Sequence, residues 1–439
     1  MLNLNHRFMQ VIKYPQRNDW EKLLKRPVFD SLILEKKVKK ILDTVKKNGD
    51  KAIRKYSREF DGIPLRKLQV TEQEIRDAEQ SISEELKEAI RTAKQNIEKF
   101  HAAQMQGHEI IETSPGVNCW RKNVAIEKIG LYIPGGTAPL FSTILMLGIP
   151  AKLAGCNEII VCSPASAQHV DRKGVATLHP AILYAANLVG VTKIFKAGGA
   201  QAIGAMAFGT ETIPKIYKIF GPGNQYVTCA KQLVQQMGTA IDMPAGPSEV
   251  AVFADETANA AFVAADLLSQ AEHGVDSQVL LVSNSESLSG SVQEEIKKQL
   301  ARLPRMELAE KALQNSKAIL VNDPEEAMGL LNEYAPEHLI LSCSNADELA
   351  GKVINAGSVF IGHYSPESAG DYASGTNHTL PTNGFAKTYS GVSVDSFVKK
   401  ITFQKLSESG LKNISKAIIE MAEAEGLQAH AEAVKLRLS

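Results

Sequence analysis

The sequence predicts an α/β protein made of two similar halves in tandem, each a parallel sheet, with a helical region in front and a helical tail behind. Three observations predict it. From about Glu127, short β-rich runs alternate with helical stretches over short connections, the pattern of βαβ units. After Gly246 the same alternation begins again. Before and after these blocks, apolar residues recur at helical spacing.

The elements follow in order. Residues 31–47 carry Val38, Ile41, Leu42 and Val45 on one helical face, and Gly49 is a plausible stop. Thr71 with Glu74 makes a capping box. Leu86, Ile90, Ala93, Ile97 and Phe100 continue at helical spacing. In the first half, strands at 129–133, 158–162, 192–196 and 217–220 each precede a helix, at 144–153, 181–189, 200–208 and 224–236. In the second half, strands at 250–253, 279–282, 318–321 and 339–342 precede helices at 257–270, 286–300, 325–331 and 346–353, and a strand follows at 357–361. Residues 362–395 lose the rhythm and are rich in Gly, Ser, Thr, Pro and Asn. A loop this long in a compact domain, holding Asp371 and His378, points to function. Residues 405–438 read as a helical tail. Ligands of open α/β sheets sit at the carboxyl ends of strands, so residues just after each strand carry the most weight.

Composition excludes several function classes. The 439 residues hold 49 Lys+Arg and 49 Asp+Glu, a net charge of +0, so no basic footprint marks nucleic acid or an anionic membrane as a partner. The Lys-rich stretch 36–51 reads as a solvated helix face. Cys119, Cys156, Cys162, Cys229 and Cys343 are odd in number, widely spaced and without C-x-x-C, which fits a reducing, cytoplasmic setting. No signal peptide is evident at the N-terminus. The most apolar stretch, 138–155, is interrupted by Pro139, Pro150 and Lys152, which argues against a membrane span.

Four clusters could carry chemistry. Gln270 and His273 lie three apart at a helix end and can face one ligand. His is a common zinc donor and Gln an unusual one, and a helix-end His can also simply answer the macrodipole. Glu337 beside His338 supplies two proton-transfer groups of different pKa, or a polar start to a strand. Asp371 and His378 stand in the glycine-rich loop, where Asp371 is either a hard oxygen donor or an Asx turn. Glu425 and His430 are in the tail, so any role there requires the tail to be pinned or to reach a second subunit. Glycine-rich turns at 133–136, 197–201 and 220–224 each precede a helix, and backbone N–H groups at such places can hold phosphate. None is a G-x-G-x-x-G fingerprint. Cys156 or Cys162 as a thiohemiacetal-forming nucleophile is a rival reading.

Seven ordered motifs carry a resemblance: GLYIPGGTAPLFSTILML (130–147), KIFGPGN (218–224), IDMPAGPSE (241–249), SQAEHG (269–274), NEYAPEHL (332–339), GDYASGTNHTLPT (370–382) and EGLQAH (425–430). With them, the chain resembles the histidinol dehydrogenase family over nearly its whole length, from the Trp20 and Arg26-Pro27 region to the tail. The resemblance implies two incomplete Rossmann-like halves, 127–240 binding NAD and 241–381 carrying zinc and the catalytic residues. It also implies an N-terminal region, 1–126, packing on the second half, and a tail, 382–439, crossing to the partner of a homodimer. It implies one Zn2+ per subunit on Gln270, His273, Asp371 and a partner-supplied His430, with Glu337 and His338 catalytic. Tyr132, Gln201 and Asn224 would contact NAD, and Ser248, His378 and Glu425 the substrate, which the zinc ligands and His338 also touch. The implied reaction is oxidation of L-histidinol to L-histidinal and then L-histidine, reducing two NAD. His338 serves as base and Glu337 activates water in the aldehyde step. Two competing readings are a zinc hydrolase with Glu337 as general base and a non-catalytic dimeric scaffold.

Overall fold

A computed structural model describes residues 9–26, 31–105, 107, 109–135 and 139–439. Two parallel sheets organise it. Across the first run Ala240–Ile241, Lys218–Phe220, Lys128–Tyr132, Glu158–Ser163 and Lys193–Lys196. Across the second run Gln10–Lys13, Lys317–Leu320, Gln278–Ser283, Glu249–Ala254, His338–Ser342 and Ser358–Ile361. Leaving Gln10–Lys13 aside and counting each half's strands by appearance, both halves share the order 3-2-1-4-5. The order therefore reverses between the first and fourth strand of each half. Central strands such as EVAVFA and QVLLVS are buried on both faces, which is why they read as unbroken apolar runs.

Helices cover both faces of each sheet. In the first half, Ser142–Ala154 and Pro180–Val189 lie on one face and Gly199–Phe208 and Gln225–Gln236 on the other. Ala260–Ala271 and Glu286–Leu300 share one core of the second half, and Pro324–Tyr334 belongs to the other. The Thr71–Glu74 capping box is present at the start of Glu72–Ser81. The span Ser31–Phe60 is two helices that meet at a kink at Gly49, where φ is 49°. Gly49 thus ends the first helix, as its sequence predicts, and the second runs on to Phe60.

The structure corrects the placement of the N-terminal region. Its helices pack on the first half, not the second: Val38, Leu42, Val45 and Ile53 join the core of Ala202, Ile203 and Met206, and Ile90, Ala93 and Ile97 that of Ile144, Leu145 and Leu147. Among the described residues, Met9, Gln10–Lys13, Trp20 and Leu24 join the second half's cores and edge strand, and Arg26 bonds to Glu249. The region is also not wholly helical. Val117–Ala125 pairs antiparallel with Ile110–Ser114 and with Val398–Leu406, forming a separate three-stranded sheet on which the tail helix Glu408–Ala424 begins. Pro27, in the region where the resemblance begins, and Gly136, Thr137 and Ala138 of the motif 130–147 lie outside the described residues. No helix among the described residues is long and apolar enough to cross a membrane.

Candidate active site

The candidate site forms at the amino edge of the second sheet. His338 is the first residue of its strand and Glu249 the first of the neighbouring one, where Val250 is in register with His338. The helix Ala260–Ala271 runs back across the sheet and delivers Gln270 to the same edge. The short helix Glu367–Tyr372 then lays Glu367 and Asp371 over it, four residues apart on one helix face. In this half the candidate residues gather at the strands' amino ends, not at the carboxyl ends where the sequence reading gave residues the most weight.

His338 lies at the centre. Its Nδ1–H donates to the Glu249 carbonyl at 3.1 Å, since a carbonyl can only accept. Its Nε2 lies 3.5 Å from Asp371 Oδ1, while Nδ1 is 3.7 Å from Glu337 Oε2 and 3.9 Å from Glu367 Oε1. Glu337 Oε2 accepts from the Glu249 N–H at 2.9 Å. The Gln270 amide is oriented by its neighbours. Its oxygen accepts from the Glu249 N–H at 3.0 Å and its nitrogen donates to Glu367. His338, Glu367 and Asp371 each aim a ligand atom into one space, all within 4.8 Å of one another. His338 Nε2, Glu367 Oε2 and Asp371 Oδ1 are buried and, among the described residues, have no hydrogen-bond partner.

The electrostatics follow from that crowding. Burial pushes the Glu337 carboxyl up to about 8 and holds Glu367 well above the usual carboxylate range. Burial would lower His338, but the carboxylates of Glu367, Glu337 and Asp371 outweigh it and raise His338 well above its ordinary value. Asp371 is shifted up by burial and more strongly down by its contact with His338 and by His378 and His273, so it ends below its ordinary value.

The other expected residues divide. His378 donates from Nδ1 to the Asp371 carbonyl at 2.9 Å, and its Nε2 meets Thr143 Oγ1 at 3.2 Å. That contact joins the cluster to a helix of the first half. Ser248 immediately precedes Glu249, and its carbonyl accepts from Gln278 N at 3.2 Å. His273 is exposed at the mouth of the cluster. Burial of its surroundings lowers it, and the charge of Asp371 opposes that effect. Glu425 and His430 are exposed in the tail and, among the described residues, form no bond with the cluster. Glu367 was missed by sequence reasoning, because SPESAG reads as loop. The four-residue spacing to Asp371 was the available signal.

A second feature lies at the carboxyl edge of the first sheet. A cavity of about 1110 Å³ is lined there by Tyr132, Gln201 and Asn224, together with Gly199 and, from the helix that ends at Phe60 and the turn after it, Lys55 and Asp61. The Tyr132 hydroxyl accepts from the Gly199 N–H at 3.0 Å. Asn224 caps its helix, its Oδ1 accepting from Tyr226 N at 3.1 Å and Val227 N at 3.2 Å. The cysteines are unsuited to nucleophilic work. Cys162 is fully buried and its thiol is pushed far up, and burial pushes Cys156 up to about 11.

The sequence profile of the family described as histidinol dehydrogenase matches residues 24–438. The chain belongs to the histidinol dehydrogenase family. It is 60% identical over 431 residues to a histidinol dehydrogenase of Bacteroides thetaiotaomicron, covering 98% of this chain and 99% of that one. A Bacteroides fragilis relative is also 60% identical, over 430 residues, with the same coverage. The crystal structure of histidinol dehydrogenase from Elizabethkingia anophelis matches with a TM-score of 0.95 at 54% identity, covering 99% of both chains. Membership makes the chain an NAD-dependent oxidoreductase, and it leaves no room for the hydrolase or scaffold readings.

Proposed function

We propose that this chain oxidises L-histidinol through L-histidinal to L-histidine, reducing two NAD, at a zinc site beside Glu337 and His338. The observation that carries this reading is the crowding of buried acidic groups around His338, with Asp371 Oδ1 3.5 Å from its Nε2, Glu337 and Glu367 beside its Nδ1, and the Gln270 amide bonded to Glu367. Burial and mutual repulsion raise crowded carboxyls of this kind, and a cation among them would relieve that. A donor set of carboxylate oxygen and imidazole nitrogen suits zinc. Asp371, Gln270 and His273 would hold it with the partner subunit's His430, one zinc per subunit. The exposure of Glu425 and His430 supports a tail that acts on a second copy. When bound, zinc would supply a Lewis-acid template that orients the substrate, and NAD would take up two electrons in each oxidation.

The chain's own groups do the proton work. With Nδ1–H committed to Glu249, the lone pair of His338 is on Nε2, which accepts the alcohol proton. Neutralising Asp371 removes a charge that holds both His338 and Glu337 up, and so lowers both toward the range where each can act as a base. In the second oxidation Glu337 activates the water that adds to the aldehyde, and Nε2 again receives a proton. Ser248 and His378 contact the substrate, and Glu425 of the second copy offsets its positive charge. Tyr132, Gln201 and Asn224 would hold NAD in the first-half cavity that they line. The free cysteines suit a cytoplasmic setting.

Incubation with L-histidinol, NAD and zinc tests the proposal, with two NADH expected per L-histidine. No NADH from folded, metallated protein would overturn it. Glu337→Gln is expected to slow the histidinal step far more than the histidinol step, and equal losses would refute the division of labour.

A further inference from the structure

We infer that Arg26 and Glu249 are a positioning pair that fixes the geometry of His338 and Glu337. The inference rests on the reading above, in which His338 Nε2 is the base. It starts from the main chain of residue 249. The Glu249 carbonyl accepts from His338 Nδ1 at 3.1 Å, and its N–H serves Glu337 Oε2 at 2.9 Å and the Gln270 oxygen at 3.0 Å. One residue's backbone therefore sets the tautomer of His338 and the aim of Glu337.

That residue opens its strand, where a ladder is most prone to fray. Its side chain prevents this. Glu249 is buried, and Arg26 grips its carboxylate with two prongs, Nε to Oε1 at 2.6 Å and Nη2 to Oε2 at 2.8 Å. Asn383 N adds a third bond at 2.9 Å. The same guanidinium donates to the Tyr334 carbonyl at 2.8 Å and stacks 4.0 Å from the Tyr334 ring centre. Tyr334 ends its helix, and three residues later the chain delivers Glu337 and then His338. Arg26 thus ties the segment holding Glu249 to the segment holding the dyad. The planar fork is needed for this, because a lysine can offer charge but not two parallel bonds.

The pair acts through the dyad, so its test must separate positioning from stability. Glu249→Gln and Arg26→Lys are expected to fold and to lose about 10–100-fold in kcat, as small misplacements of a reacting group do. KM for NAD, bound in the other half, stays at the wild-type value, and the histidine limb of the pH–rate profile moves. Adding Glu249→Gln to His338→Asn is expected to cost no further kcat, because the two act as one unit. Wild-type kcat and pH profile with only a lowered Tm would overturn the inference, as would an additive loss in the double variant. Should either single variant fail to fold, Arg26→Met with Glu249→Leu removes both charges without stranding one. A folded protein of that kind with wild-type kcat would also overturn it. Full activity in His338→Asn alone is a different result, which sinks the base assignment itself.

Discussion

The two halves of the chain share a strand order and gather their candidate site residues at opposite edges. In the first, the residues lining the cavity follow their strands: Tyr132 ends one, and Gly199 and Asn224 lie just beyond two others. In the second, His338 and Glu249 begin their strands. The second half also has a carboxyl edge with a reversal point, but its own side chains close it. Asp255 there accepts from Ser344 N at 2.9 Å, Ser344 Oγ at 2.8 Å and Thr257 N at 3.0 Å, as well as from the Thr257 hydroxyl. Its carboxylate has little capacity left for a ligand. The first half instead keeps its edge open with glycine, as at Gly221, where φ is 124°. Topology offers a crevice at each edge, and the local side chains decide which stays open. The His378–Thr143 contact shows that the two chosen edges adjoin.

Four experiments probe this division, beginning with the largest effect. His338→Asn is expected to lower kcat by about 10²–10⁴-fold while leaving NAD affinity intact, read by turnover and by NAD titration. Equal loss of NAD binding would break the division between halves. Chelation should abolish turnover and lower Tm, and zinc should restore both. Full turnover in metal-free protein would remove the cation from the second half. Gly221→Ala should act on the first half alone. A Cβ there would stand 2.1 Å from the Tyr132 carbonyl oxygen, in a backbone region L-residues avoid. KM for NAD is expected to rise about tenfold for roughly 1–3 kcal/mol of strain, with kcat kept at saturating NAD. A kcat loss at saturation would mean the turn also shapes the other edge.

The smallest effect concerns Asp61 in the first-half cavity. Asp61 is itself exposed, but its surroundings desolvate the carboxyl and raise it from 3.8 to about 6. A raised acid holds its proton in the folded state, so the associated stability is full below pH 4 and is lost as pH rises through 6. Asp61→Asn should therefore raise Tm at pH 8 and leave it unchanged at pH 4. A gain of equal size at both would show that the cavity does not desolvate this carboxyl.

Much of the fold was legible because it is local. Strand-helix alternation marked both sheets, and unbroken apolar runs such as EIIVCS marked strands buried on both faces. Val117–Ala125 was not legible, for its side chains are mostly exposed or half-buried and its long partner lies near the other end of the chain. Gln10–Lys13 was hidden for the same reason, since it pairs with Lys317–Leu320. In the site, Glu337 and His338 stood out because two titratable groups are adjacent in sequence. Glu367 did not, because a six-residue helix is too short to show a period. Arg26 was visible only as part of a motif, and its grip on Glu249 depends on packing between segments 223 residues apart.

The pairing of Val117–Ala125 with Val398–Leu406 also has a cost in time. Ribosomes add about 5–20 residues each second, and roughly 280 residues separate the two strands. For tens of seconds, therefore, the nascent first strand has only Ile110–Ser114 beside it, with its other edge bare. That edge can be closed only once nearly the whole chain has been made. A chain stalled before residue 398 is expected to be nicked by protease near 110–125, where the finished protein resists.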